Sequence, residues 1–581
     1  MWEKRALQFL VSLALGGSLI IPAASASTNA TTQSDATVSV VPTDPLFAEP
    51  YIDKDEWRNA PVRHRYIHGG FKGTDTRFSI YLPPKKQYKG RFFQHITPVP
   101  DDENLAQKDP VGSHNKIGFS IASGAYFLET NGGGKMDLGK VRGPASDANV
   151  TAFRANAAAA MYSRLVVQKL YGGKRPFGYA YGGSGGAYRT IGSIENTKGV
   201  WDGVVPYVPG STMAIPNMFT VRMHAMRILK DKFPQIVDAV EPGGSSDPYA
   251  GLTPREADAL REITRMGFPL PSWYGYKNMG IHGFAALYQG MVGIDPPYFT
   301  DFWTKPGYLG FDDPKEFEGA RMQFASTVAA PVTAAEAARL QINTDAASAG
   351  NRGGVDSAFR IPEGAEGARV AAFRLTGTPP PVDFIGGDLI VNSGAAKGKR
   401  LPLSRIVGDI AVLGLADGDV AKLITTGDEV QVDNSNFLAA QTYHRHQVPG
   451  PDFKVWDQFR DAQGKAIYPQ RPMLIGPIFV RGTSGSTQTG KFEGKMILVA
   501  SLWDREALPW QADWYRQRAA ANFGASADEH LRLYYTDHAL HGDEASLEDA
   551  SRVVSYNGPL QQALRDLSAW VEKGTPPPAS T

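Results

Sequence analysis

The chain of 581 residues exceeds one ordinary domain, so a large core with insertions, or two to three domains, is expected. Its 42% hydrophobic and 20% charged residues describe a globular protein, and 60 Lys+Arg against 59 Asp+Glu leave +1, which offers no basic surface to nucleic acid. Cysteine is absent, which excludes disulfides, thiol catalysis and thiolate metal sites.

The N-terminus reads as a secretory signal, with Lys4 and Arg5 as its positive region, Phe9 to Ile21 as its apolar region and Ala24-Ser25-Ala26 as a cleavage motif. Cleavage after Ala26 and export to a bacterial periplasm or beyond are expected, with no membrane span left in the mature chain. Residues 27–50 form a polar tail. A first core part, 51–211, follows. Arg77 to Leu82 alternates and stops at Pro83-Pro84, Gly90 to Val99 reads as a second strand, and Ile117 to Thr130 contains a third. A helix is expected from about Asp147 to Leu170, capped by Ser146 or Asp147 and stopped by Gly172-Gly173. Then come a buried strand at Phe177 to Tyr181, a helix behind Gly185, and a strand within Asp202 to Val208. This alternation builds a parallel sheet from right-handed crossovers.

The parallel pattern then lapses. Residues 212–368 read as a helical cap, whose clearest signal is the capping box Thr253-Pro254-Arg255-Glu256, closed by Gly267. Its Gly/Ala-rich end, 346–368, reads as a mobile loop or linker. Residues 369–485 carry short β runs with turns and are expected to form a β-rich subdomain. The core resumes over 486–581: a strand at Lys495 to Leu502, a helix at Ala507 to Asn522, a strand at His530 to Tyr535, and a closing helix. That last helix starts with Pro559 at N1 and presents Leu560, Leu564, Leu567 and Val571 on one face.

The chemistry centres on Gly182-Gly183-Ser184-Gly185-Gly186, the G-x-S-x-G spacing of a nucleophile elbow. With 62 glycines in the chain the spacing alone says little; its place between an apolar strand and a helix gives it weight. A serine on such a turn is lifted out of the sheet, and the helix N-terminus behind it favours negative charge in front of it. A serine nucleophile needs a base and an acid to orient that base, in the order Ser, Asp/Glu, His. Asp504 just past its strand is the expected acid, with Glu506 and Asp513 as lesser rivals. His541 is the expected base and His538 the alternative. The oxyanion hole is expected from the backbone N–H of Gly185 and a second N–H near Ile96 or Thr97. His95 either lines the pocket or is a structural histidine. Trp273, Tyr274 and Tyr443 are expected to touch substrate. His444 and His446 could be read as a metal pair, but with no second cluster beside them no metal or other cofactor is expected.

The elbow with its ordered Asp and His resembles the α/β-hydrolase superfamily over 76–211 and 494–572. The expected fold class is therefore α/β: a mostly parallel sheet with helices on both faces, carrying a large insertion made of a helical cap and a small β-rich subdomain. Within the superfamily, a secreted chain of this length with a large insertion before the acid strand resembles the tannase/feruloyl esterase group. That resemblance implies hydrolysis of carboxylic esters, with a small or polymeric ester as partner and the insertion as a lid. The group joins cysteines beside its serine and histidine by a disulfide; Gly183 and Gly542 stand at those positions here, and the group's lid calcium site has no recognisable motif. A peptidase or amidase, or a polyester depolymerase, on the same triad are the alternative enzymes, and a non-catalytic binding protein with the same fold is the alternative of another class. The oligomeric state is not legible.

Overall fold

The computed structural model describes residues 44–134, 147–277, 279, 282–342, 368–414, 418–543 and 550–580. The signal sequence, the tail up to residue 43 and residues 346–367 of the expected linker lie outside them.

The first core part contains β1 (Pro50–Arg58), β2 (His64–Phe71), β3 (Arg77–Leu82), β4 (Arg91–His95), α1 (Lys116–Ala122), β5 (Ala125–Thr130), α2 (Ala155–Tyr171), β6 (Phe177–Gly183), α3 (Gly185–Asn196) and β7 (Gly203–Tyr207). The second adds β14 (Lys495–Ser501), α6 (Trp510–Phe523), β15 (Leu531–Thr536) and α7 (Asn557–Lys573), and the elements numbered in between belong to the insertion. Nine strands form one sheet in the order β1-β2-β3-β5-β4-β6-β7-β14-β15. The pairs from β1 through β3 to β5 are antiparallel, and all those from β5 onward are parallel. This order and these directions are those of the expected α/β fold class, a mostly parallel sheet with helices on both faces.

Neighbouring residues of each central strand feed opposite faces, as the pleat requires. Phe92, Met496 and Leu498 pack under α2, α3 and α6, whereas Phe93, Ile497 and Val499 pack under α1 and α7. Both faces are therefore apolar, which is why β14 reads as an unbroken apolar run. α2 is preceded by a π-turn at Val150–Arg154 and ends on Gly172 at φ 72°, and α7 ends on Gly574 at φ 67°.

The insertion between β7 and β14 begins with α4 (Asn217–Leu229) and continues through α5 (Pro254–Arg265). The Thr253–Glu256 capping box forms as the sequence predicts. The β-rich unit begins earlier than expected, because β8 (Gln323–Thr333) lies within the stretch expected to be helical. It joins β9 (Val370–Leu375), β10 (Gly387–Val391), β11 (Arg400–Val407), β12 (Ile410–Leu413) and β13 (Glu429–Asp433) in a closed antiparallel barrel, β10-β11-β12-β9-β8-β13. Phe373, Leu389, Leu401, Leu403 and Val432 fill its interior. The unit also ends earlier: past β13 the chain returns to helices, at Ser435–Ala440 and Ile475–Ser484. Among the described residues no helix is long and apolar enough to cross a membrane.

Candidate active site

Ser184 stands between β6 and α3 with φ 55° and ψ −119°, a conformation that L-residues adopt only where the surroundings impose it. The segment after β4 does the imposing. A Cβ on Gly182 would lie 2.5 Å from the Ile96 carbonyl oxygen, one on Gly185 would lie 2.7 Å from that of Pro98, and one on Gly186 would collide with Ile96. The three glycines let residues 96–98 lie directly on the turn. The Ser184 N–H donates to the Tyr207 carbonyl at 3.2 Å, which ties the elbow to the end of β7.

Asp504 and His541 follow β14 and β15, which β7 separates from β6 in the sheet, so all three residues lie past the carboxyl ends of parallel strands of one sheet. Asp504 is fully buried. Its Oδ1 accepts from the N–H groups of Glu506 and Ala507, each at 2.8 Å, so the loop wraps around the carboxylate. His541 Nδ1 lies 2.8 Å from Oδ2 and 3.0 Å from Oδ1. A carboxylate only accepts, so the proton of the neutral ring sits on Nδ1 and Nε2 keeps the basic lone pair. The histidine loop is held from both sides: Trp503 N–H donates to Ala539 O at 3.1 Å, and the Tyr556 hydroxyl donates to His541 O at 3.2 Å.

His538 is not brought to Asp504. It sits at φ 57° with its half-exposed ring tilted against Trp503, 4.2 Å between centroids, and its Nδ1 3.1 Å from Asp537. Of the two lesser acids, Asp513 pairs with Arg516 on α6, but Glu506 Oε2 lies 3.8 Å from His541 Nδ1. Asp504, Glu506 and His541 are all buried, with ligand atoms within 4.8 Å of one another.

The expected oxyanion donors divide. Ile96 is corrected: its N–H is spent on Tyr181 O at 2.8 Å, an extension of the β4–β6 ladder past the strand end. Thr97 and Gly185 remain as candidates, Gly185 because the first N–H of a helix has no intrahelical acceptor. Thr97 is anchored by Arg189, whose Nη1 donates to its carbonyl at 2.7 Å and its hydroxyl at 3.1 Å. The same guanidinium donates to Thr151 O, so one buried arginine on α3 fixes the segment facing the elbow. Sequence reasoning missed Arg189; its place in the first turns of the helix behind the serine was the available signal. His95, half-buried at the end of β4, packs on Tyr181 at 5.1 Å. Desolvation, aided by the charges of Lys116 and Arg189, holds its pKa well below the ordinary imidazole value, so the ring is neutral.

Two expected substrate contacts are corrected. Trp273 is fully buried between Phe233 and Phe268, at 4.7 and 4.3 Å, and is core of the cap. Tyr443 is also fully buried, with its hydroxyl on Asp295 at 3.1 Å and its ring edge-on to Tyr298. Only Tyr274 of the three is half-exposed, and it lies near the acid loop, 5.7 Å from the Trp503 ring with Arg505 4.8 Å over its face. His444 and His446 do not form a pair. His444 Nε2 meets Glu262 at 2.7 Å, while His446 bonds Pro469 O at 2.7 Å and stacks on Tyr308.

At Gly183 a side chain would run into the Tyr207 ring, whose Cζ would stand 2.5 Å from the Cβ. Tyr207 in turn packs on Tyr556 at 5.6 Å, and Tyr556 holds the His541 carbonyl. An aromatic pair thus bridges the serine turn and the histidine loop.

No family model and no curated protein matches the chain. Among solved structures it is similar to an esterase from Aspergillus oryzae, at 12% identity over 92% of this chain and 88% of that one, with a TM-score of 0.37. It is similar to feruloyl esterase B from Aspergillus oryzae at 13% identity, covering 91% and 88%, with a TM-score of 0.38. It is also similar to the tannin acyl hydrolase from Aspergillus niger at 12% identity, covering 91% and 83%, with a TM-score of 0.36.

Proposed function

We propose that the chain is an exported serine hydrolase that cleaves carboxylic esters through an acyl-enzyme. The observation that carries this reading is the buried Asp504–His541 pair, which fixes the tautomer whose Nε2 is a base, at the edge that also holds Ser184 on its strained turn. Ser184 Oγ attacks the ester carbonyl carbon while Nε2 takes its proton. The carbonyl electrons move onto oxygen, and the N–H groups of Gly185 and Thr97 stabilise the oxyanion. Collapse expels the alcohol, protonated by Nε2–H, and leaves Ser184 acylated. Water then attacks the acyl carbon, gives its proton to Nε2, and the acid departs as Oγ recovers the proton. Asp504 holds the ring through Nδ1–H and stabilises the imidazolium. The insertion between β7 and β14 serves as the lid that selects the ester, and Lys4 through Ala26 direct export.

The test is hydrolysis of a panel of p-nitrophenyl esters by the wild type, Ser184→Ala and Asp504→Asn. Loss of about 10³-fold or more in kcat/KM for Ser184→Ala is expected, with Asp504→Asn also strongly impaired. Activity that survives the serine substitution defeats the reading.

A further inference from the structure

We infer that Glu506 is a second carboxylate partner of His541, pinned by Arg222 of the insertion, and that this pair helps set the pH at which His541 works as a base. The inference rests on the triad reading above.

Glu506 follows Asp504 by two residues, and its own N–H is bonded to Asp504 Oδ1, so the turn that binds the acid also folds Glu506 back over the same site. Its two oxygens face different partners. Oε2 lies 3.8 Å from His541 Nδ1, and Oε1 lies 3.5 Å from Arg222 Nη1. Both side chains are out of water, at 1% exposure for Arg222 and 8% for Glu506. Arg222 sits on α4, the first helix of the insertion, and also donates to Arg505 O at 3.4 Å, which fastens it to the acid loop.

The charges make the consequence definite. With His541 neutral, the four side chains Asp504, Glu506, Arg222 and His541 sum to −1; with His541 protonated they sum to zero. A buried site disfavours net charge, so the arrangement favours the imidazolium that forms in the transition state. Among the described residues, further ionisable groups on the loops around His541 have partners of their own. Arg505 lies over Tyr274, Asp543 bonds the Tyr556 N–H and Ser555, and His538 pairs with Asp537. Tyr207 and Tyr556 are phenols that stay neutral in the working range. Glu506 acts through His541, so it is a positioning residue.

The acidic limb of kcat/KM against pH reads this directly, since it reports protonation of the free enzyme's base. Glu506→Gln keeps the shape and removes the charge, so the limb is expected to move down by about one pH unit, with a roughly three- to tenfold lower plateau. Arg222→Met removes the positive charge beside Glu506, and the limb is expected to move up. Opposite shifts are a signature that mere loosening of the site does not produce. Should either variant fail to fold, Glu506→Asp and Arg222→Lys keep the charges and lengthen the contacts, and smaller shifts of the same signs are expected. Labelling of Ser184 by a fluorophosphonate serves as the control. A limb unmoved in Glu506→Gln, with wild-type labelling and with Ser184→Ala inactive, overturns the role of Glu506 and leaves the triad standing. An active, labelled Ser184→Ala overturns both.

Discussion

Gly183→Ala places a methyl group where the Tyr207 ring already stands. Cζ and Cδ2 of the ring would lie 2.5 and 2.7 Å from the new Cβ and Cε2 closer still, so the ring must withdraw by about 1.5 Å to reach an ordinary contact. It has little room, because Tyr556 packs against it and is itself bonded to the His541 carbonyl. Overpacking of this kind costs about 1–3 kcal/mol. A displacement passed on to the His541 loop costs catalysis as well: about tenfold or more in kcat/KM, since an ångström of misplacement is worth up to ~10². No triad group is touched. The assay is urea unfolding together with p-nitrophenyl ester kinetics on Gly183→Ala, Tyr207→Ala and the double variant. The double variant is expected to recover part of both losses, with a coupling of about 0.5–3 kcal/mol in stability. Additive losses, or a Gly183→Ala enzyme indistinguishable from wild type, refute the aromatic bridge.

Trp273→Ala is expected to cost about 3–5 kcal/mol in stability with little change in ester preference, whereas Tyr274→Ala changes KM and preference at nearly unchanged stability; urea midpoints and an acyl-chain profile separate the two. Glu129 is buried beneath the Tyr81 hydroxyl and the Ala106 N–H, and desolvation pushes its carboxyl up to about 8. Its folded pKa lies above the unfolded one, so between about pH 4.5 and 8 the unfolded chain gives up a proton that the folded chain keeps. Stability therefore falls as pH rises through that window, by up to ~1.4 kcal/mol per unit, and is undiminished below it. Glu129→Gln is expected to flatten this slope, and equal slopes for variant and wild type between pH 5 and 8 would refute it.

The parallel core was legible because its strands are buried on both faces and its helices carry caps and glycine stops. β14 shows as an uninterrupted apolar run, and Thr253-Pro254-Arg255-Glu256 announces its helix outright. What escaped has physical reasons. β1 is a sheet-edge strand whose middle residues are exposed and charged, so it has no apolar face to betray it. β8 buries only Val328 and Val332 fully, and its alanines and Pro331 blur the alternation. Ile406 to Leu413 reads as one strand because the hairpin turn inside it is only Gly408-Asp409. At the candidate site, strand ends pointed to Asp504 and His541, whose side chains do meet, since position along the chain fixes position at the edge. Composition could not say which aromatic faces a cavity, and so it chose Trp273 and Tyr443, which are core. Arg222 and Glu506 come together from positions far apart in the chain, and no local pattern announces such a meeting.

The order in which the sheet is threaded bears on how the molecule comes into being. β7 finds its partner β14 only after the whole insertion has passed, and β15 and the His541 loop come later still. The barrel from β8 to β13 is contiguous in the chain and closes on itself, so it can form early and bring its two ends near each other without waiting for the core. A chain interrupted before β14 therefore carries Ser184 and the unfinished edge of β7, but neither Asp504 nor His541. The Asp504–His541 pair arrives with the final segment, and it coincides with the step that completes the sheet.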